Sequence, residues 1–358
     1  MTKPRLIAFY LPQFFPTKEN DLWWGKGFTE WTNVGRAKPL FKGHNQPRIP
    51  ADLGYYDLRI SEVREEQVKL AREAGIEGFC YWHYWFAGRR LLERVFDEVV
   101  DSGSPDFPFC LCWANHSWFQ KTWDPNKPDK LLIEQTYPGK EDYEKHFYEM
   151  LPAFKDRRYI KVEGKLLYGV FAPMDIPDFD EFKNVWNRLA EDNGLPGFFF
   201  FGFTVLEENI KKVQAKGFDA VVFDGVHYSW DSENFYRRFV NGIKKRFLKI
   251  PRTQTFDEYA NVMLNMFKKY KEIIPCLVPN YDHSPRSAAR GMIIVNDSPK
   301  KWNSFCKNIF NVAKQNGDKR NLYFVKAWNE WGEGNYLEPD LKFGKAYIEE
   351  TRKAINSQ

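Results

Sequence analysis

Short apolar runs recur along this chain, each bounded by glycine, proline or charge, and each followed by a longer stretch whose apolar positions fall at helical spacing. That alternation is the pattern of strand and crossover helix. Strands are predicted at RLIAFYL (Arg5 to Leu11), EGFCYWH (Glu77 to His83), PFCLCWA (Pro108 to Ala114), LLYGVFA (Leu166 to Ala172), FFFFGF (Phe198 to Phe203), DAVVFD (Asp219 to Asp224), PCLVP (Pro275 to Pro279) and LYFVKAW (Leu322 to Trp328). ISEVREEQVKLAREAG (Ile60 to Gly75) reads as a helix with Gly75 as its C-cap. Eight strands with intervening helices predict an α/β fold of the (β/α)₈ TIM-barrel type, a single catalytic domain over residues 1–358. An open doubly wound sheet is the competing topology, but no G-x-G-x-x-G or Walker-type loop follows any strand.

Two segments are too long for ordinary loops. Residues 12–59 carry WWGKGFTEW and PLFKGHNQP and are predicted to form a structured lid on the active face. Residues 226–274 form an insertion after the sixth strand and contain the basic run FVNGIKKRFLKIPR.

Composition then narrows the chemistry. Aromatic residues make up 18% of the chain, with 13 Trp, 18 Tyr and 32 Phe, more than a core alone requires. Ring faces cover sugar C–H groups while N–H and O–H groups bond hydroxyls, so a carbohydrate ligand fits this excess. The net charge of +5 is scattered, without the basic stripe that nucleic acid demands. Five cysteines, with Cys110 and Cys112 inside an apolar run, suggest reduced buried thiols. The histidines are spread too widely for a metal site, and neither metal nor cofactor is expected. No signal peptide or membrane span is legible, which makes the cytoplasm the expected location; oligomeric state is not legible at all.

Reacting groups in such barrels sit at the C-terminal ends of the strands. Aromatic and polar residues crowd nearly every one of those ends. Candidate substrate-binding residues are Tyr10 and Gln13 after the first strand, His83, Tyr84 and Trp85 after the second, and Trp113, Asn115 and His116 after the third. Asp282 and Arg286 follow the seventh strand, as an ion pair or a clamp on substrate, and Trp328 and Asn329 close the eighth. Glu30 and Trp31 reach the site if the long first loop folds inward. The eighth strand also ends in AWNEWGEGNYLEP, which sets Glu330 and Glu333 three residues apart. Hydrolysis of an acetal needs one carboxyl group to protonate the leaving oxygen and a second group to activate the nucleophile. Burial against Trp328 and Trp331 would raise the pKa of the drier glutamate while the other stays ionised.

IAFYLPQFFP, NDLWWGKGFTEWTNVGRAKPLFKGHNQPRIPADLGYYDLR, GFCYWHYWFAGRRLLERV, DFPFCLCWAN and AWNEWGEGNYLEPD resemble the WbsX-like family, whose domain is described as similar to glycoside hydrolase family 99. The resemblance covers nearly the whole chain and is weakest from about Phe203 to Ile274. It implies a (β/α)₈ barrel and a retaining, endo-acting hydrolase for an oligosaccharide or polysaccharide. Glu330 would then be the base that assists the substrate's 2-hydroxyl in attacking the anomeric carbon, and Glu333 the general acid. The family's name implies instead a glycosyltransferase of surface-polysaccharide biosynthesis, and a non-catalytic glycan-binding barrel is the third reading. This chain departs at WANHSWFQK, where His116 replaces an acidic residue and Gln120 or Lys121 stands near the usual arginine.

Overall fold

A computed structural model describes residues 3–120, 128–231, 239, 241, 242, 247 and 250–358. Among them, parallel strands β1 (Arg5–Tyr10), β2 (Gly78–Phe86), β3 (Phe109–Trp113), β4 (Lys165–Val170), β5 (Phe198–Thr204), β6 (Ala220–Asp224), β7 (Ile274–Leu277) and β8 (Leu322–Val325) close into a barrel. Closure is explicit in β1, which pairs Ala8 with Val325 of β8 on one side and Tyr10 with Tyr81 of β2 on the other. All eight predicted strands are present, and the open sheet is excluded.

Apolar side chains of the inward parity fill the interior, as alternation along a strand requires. Phe9 stacks on Trp82 with ring centroids 4.5 Å apart and meets Phe324 at 5.1 Å. Room for Phe201 comes from Gly169 on β4, where an added Cβ would lie 2.2 Å from the Phe201 ring. The barrel is thus a packed core, and the site must lie at its mouth. All five cysteines are buried and unpaired.

Outside the strands lie crossover helices. The helix Ser61–Ala74 ends at Gly75 in the left-handed conformation, as its sequence predicts. The first loop is structured: it contains α1 (Lys18–Trp24) and α2 (Glu30–Arg36), the latter capped reciprocally by Thr29 and Thr32. It is tied to the rest of the barrel mouth by polar bonds from His44 and Gln46 to the Asp282 carboxylate, at 2.8 and 2.7 Å, and from Arg48 to the Gly334 carbonyl at 3.0 Å. Beyond β3 an antiparallel pair, Trp118–Gln120 with Lys130–Ile133, stands beside the mouth. In the insertion after β6, the helices Val226–Asp231 and Phe256–Lys269 are described, whereas half of the basic run, like Lys121, lies outside the described residues. No described helix is long and apolar enough to cross a membrane.

Candidate active site

Past β8 the chain turns back on itself. Asn329–Glu330 pairs antiparallel with Asn335–Tyr336 around a 3₁₀ turn, Trp331–Glu333. Glu330 immediately precedes that turn and Glu333 ends it, and both side chains emerge toward the barrel mouth. Both line a cleft of about 810 Å³ at the barrel mouth, together with Gln13, Glu30, Tyr84, His116 and Arg286 from the predicted set.

Arg286 sits on a one-turn helix after β7, Ser284–Ser287, and organises the charges. Its Nη1 lies 2.5 Å from Glu333 Oε1 and 3.8 Å from Glu330 Oε2, while Nη2 and Nε lie 3.0 and 3.1 Å from Glu30 Oε2. Lys326, immediately beyond β8, pairs with the buried Asp224 at 2.6 Å and also lines the cleft. His283 Nε2 stands 3.9 Å from Glu333 Oε1, and burial holds its imidazole below the usual range.

The two glutamates are driven apart. Burial, reinforced by the charge of Glu333, raises Glu330 to about 7 against the pull of Arg286 and Lys326. Burial acts the same way on Glu333, but there Arg286, Lys326 and His283 together outweigh it and hold the carboxyl at about 2. Glu330 therefore keeps its proton to a much higher pH than Glu333, the division acid/base work uses. The ring beside the drier glutamate is Trp82, whose Nε1–H donates to Glu330 Oε1 at 3.0 Å. Trp328 and Trp331 do not serve this purpose: Trp328 packs on Phe79, and Trp331 donates to Glu338 at 2.6 Å.

Other predicted residues turn away from the cleft, those on the barrel strands because of strand parity. Tyr10 points outward from β1 and donates to Gln67 at 2.8 Å. His83 points outward from β2 to His146, at 2.8 Å between Nε2 atoms; Trp85 stacks on His146 and donates to Asp142 at 3.0 Å; and Trp113 donates to the Trp85 carbonyl. Asn115 joins two loops, bonding the Ala172 backbone from both ends of its amide. Asn329 does the same to Leu11, and Trp31 donates to the Tyr56 carbonyl. Asp282 pairs with His44 rather than with Arg286. These residues brace the mouth rather than line it.

Sequence reasoning left Trp82, Lys326 and the outer wall out of the candidate set. That wall is built from Trp24 and Phe28 of the first loop and from Trp118 and Phe119 of the added hairpin; Trp24 is 37% exposed and Phe119 45%. Trp82 shares the parity of Tyr84, but the sequence of β2, buried at every position, does not say which parity faces the cleft. Nothing local marks Lys326 as a cleft residue.

The family model described as Glycosyltransferase WbsX matches residues 6–351. Two proteins named "Uncharacterized protein WxcX", from Xanthomonas campestris pv. campestris strains B100 and ATCC 33913, are each 36% identical over 98% of this chain. The chain spans about half the length of these curated relatives, 49% in each case. Among solved structures, a "Glycoside hydrolase-like protein" superposes with a TM-score of 0.65 at 14% identity, covering 99% of this chain and 94% of its own. The GH99 endo-alpha-mannosidase from Bacteroides thetaiotaomicron superposes with a TM-score of 0.55, also at 14% identity, covering 99% of this chain and 97% of its own. At such identity these likenesses establish the barrel and nothing finer.

Proposed function

This chain belongs to the glycosyltransferase WbsX family, a carbohydrate-active family, and on that premise we propose that it is a retaining, endo-acting glycoside hydrolase with Glu330 and Glu333 as its paired carboxyl groups. The observation that carries the reading is the pair itself: two carboxyl groups on one turn, one raised and one depressed, at the mouth of a barrel walled by exposed rings. The substrate is an oligosaccharide or polysaccharide, whose rings stack on Trp24 and Phe119.

In the roles the resemblance implies, Glu330 is the base toward the substrate's 2-hydroxyl and Glu333 the acid toward the leaving oxygen. As it stands the cleft favours the opposite placement of the proton, on Glu330. Substrate supplies the reversal. A hydroxyl donating to Glu330 favours its ionised form, and a glycosidic oxygen accepting from Glu333, in place of the Arg286 contact, favours its protonated form.

The test is mass-spectrometric product analysis after incubating wild type, Glu330→Gln and Glu333→Gln with a panel of mannose- and rhamnose-containing bacterial polysaccharides. Shorter oligosaccharides from wild type alone, independent of added nucleotide, are expected. The family's description favours a second reading, glycosyl transfer in polysaccharide assembly. Chains that lengthen only when a sugar nucleotide is supplied would replace the first reading with that one.

A further inference from the structure

The Arg286 guanidinium is held from two sides. Glu333 takes one edge through Nη1, and Glu30, arriving from the first loop, takes the other through Nη2 and Nε. Glu30 is only 4% exposed, and its carboxylate rests on the catalytic turn: a Cβ added to Gly332 would lie 2.0 Å from Glu30 Oε2 and 3.0 Å from Arg286 Nε. Gly332 itself lies outside the left-handed region, so the lack of a side chain there makes room for Glu30 rather than serving a turn. The loop bearing Glu30 is anchored independently to the β7 and β8 loops through Asp282 and Gly334.

We propose that Glu30 is a positioning residue: seated against Gly332, it fixes the Arg286 guanidinium beside Glu333 and so makes the first loop part of the acid/base apparatus. The catalytic consequence rests on the function proposed above; the mechanical linkage does not. Freed of Glu30, Arg286 is no longer gripped at Nη2 and Nε and swings toward the open cleft or toward Glu330, which its Nη1 already approaches at 3.8 Å. The other charged and titratable groups around Glu333, namely Lys326, His283, His227, Tyr281 and Glu330, come from the segments that follow β6, β7 and β8 rather than from the first loop.

Linkage through Arg286 and direct action of the Glu30 charge differ in sign. Removing a nearby negative charge lowers a carboxyl pKa, whereas loosening its cationic partner raises it. The experiment is an NMR titration of the protein carrying ¹³C-carboxyl-labelled glutamate. Arg286→Met is expected to raise Glu333 by about 1–3 units, and Glu30→Gln and Gly332→Ala to raise it by part of that shift. Adding Glu30→Gln to Arg286→Met is expected to give no further rise. A fall of Glu333 in Glu30→Gln, or a rise that persists without Arg286, overturns the proposal. Glu30→Gln adds no atom, so the titration stands even if Gly332→Ala fails to fold. On any polysaccharide that wild type cleaves, Glu30→Gln is expected to lower kcat about tenfold or more with KM little changed, because Arg286 is no longer held in place to stabilise the Glu333 carboxylate as it gives its proton to the leaving oxygen. A raised KM with unaltered kcat would make Glu30 a sugar contact and overturn it likewise. If wild type cleaves nothing, the functional reading fails while the titration still decides the linkage.

Discussion

The loop after β8 carries two carboxyl groups raised to about 7 that face opposite worlds. Glu330 looks into the cleft, bonded by Trp82 and set near Arg286, with the ionised Glu333 on the same turn. Glu338 is sealed behind the same loop, 3% exposed, accepting from Trp331 and Gln67 at 2.6 Å and from Tyr56 at 3.0 Å. Burial raises both, but only Glu330 has a carboxyl partner and access to a ligand. A perturbed pKa therefore does not by itself mark a catalytic group. Tyr10, Trp31, Asn329 and Trp331, which read as site residues or site neighbours, belong to the sealed side.

The sharpest way to break this comparison is to remove each carboxyl group. Glu330→Gln and Glu333→Gln are expected to lower glycan cleavage about 10²–10⁴-fold while circular dichroism shows a folded barrel; activity within a few-fold of wild type would end the acid/base assignment. On the sealed side, Glu338→Ala leaves three buried donors without an acceptor. A loss of about 3 kcal/mol or more in urea unfolding is expected, much larger than for Glu330→Gln.

Stability against pH separates the groups further. Glu338 rises from 4.5 to about 7 on folding, so its stabilisation is full below pH 4.5 and is lost as pH climbs to about 7, where only the unfolded chain has released the proton. Glu333, held at about 2, acts oppositely: its stabilisation is present above pH 4.5 and is lost as pH falls toward 2. In urea melts, Glu338→Gln should flatten the decline between pH 4.5 and 7, and Glu333→Gln the decline on the acid side. Curves parallel to wild type in those windows would contradict the assigned charges. The smallest effect is expected from Trp82→Phe, which removes one donor to Glu330 and should move the upper limb of a pH–rate profile up by about half a unit.

Much of the fold was readable because barrel strands, buried on both faces, leave continuous apolar runs between turn signals. The same continuity hid the site. YWHYWF on β2 is aromatic or histidine at every position and 4–7% exposed from Tyr81 through Phe86 except Trp85 at 3%, so nothing in it says which parity faces the cleft. The barrel register answers: Trp82 and Tyr84 turn inward, His83 and Trp85 outward. Glu330 and Glu333 were legible because their spacing is local, whereas Lys326 and the outer aromatic wall were not.

By itself the sequence determined the number and order of strands, the helix ending at Gly75, a structured first loop, and two glutamates on one turn. Those features depend on periodicity, glycine and spacing, which act over a few residues. Only the tertiary structure decided which carboxyl group is dry, which cation each one meets, and that Glu30 shares Arg286 with a glutamate about three hundred residues away. Charge interactions run through space rather than along the chain, so the division of labour between Glu330, Glu333 and Glu338 existed only once the barrel had closed.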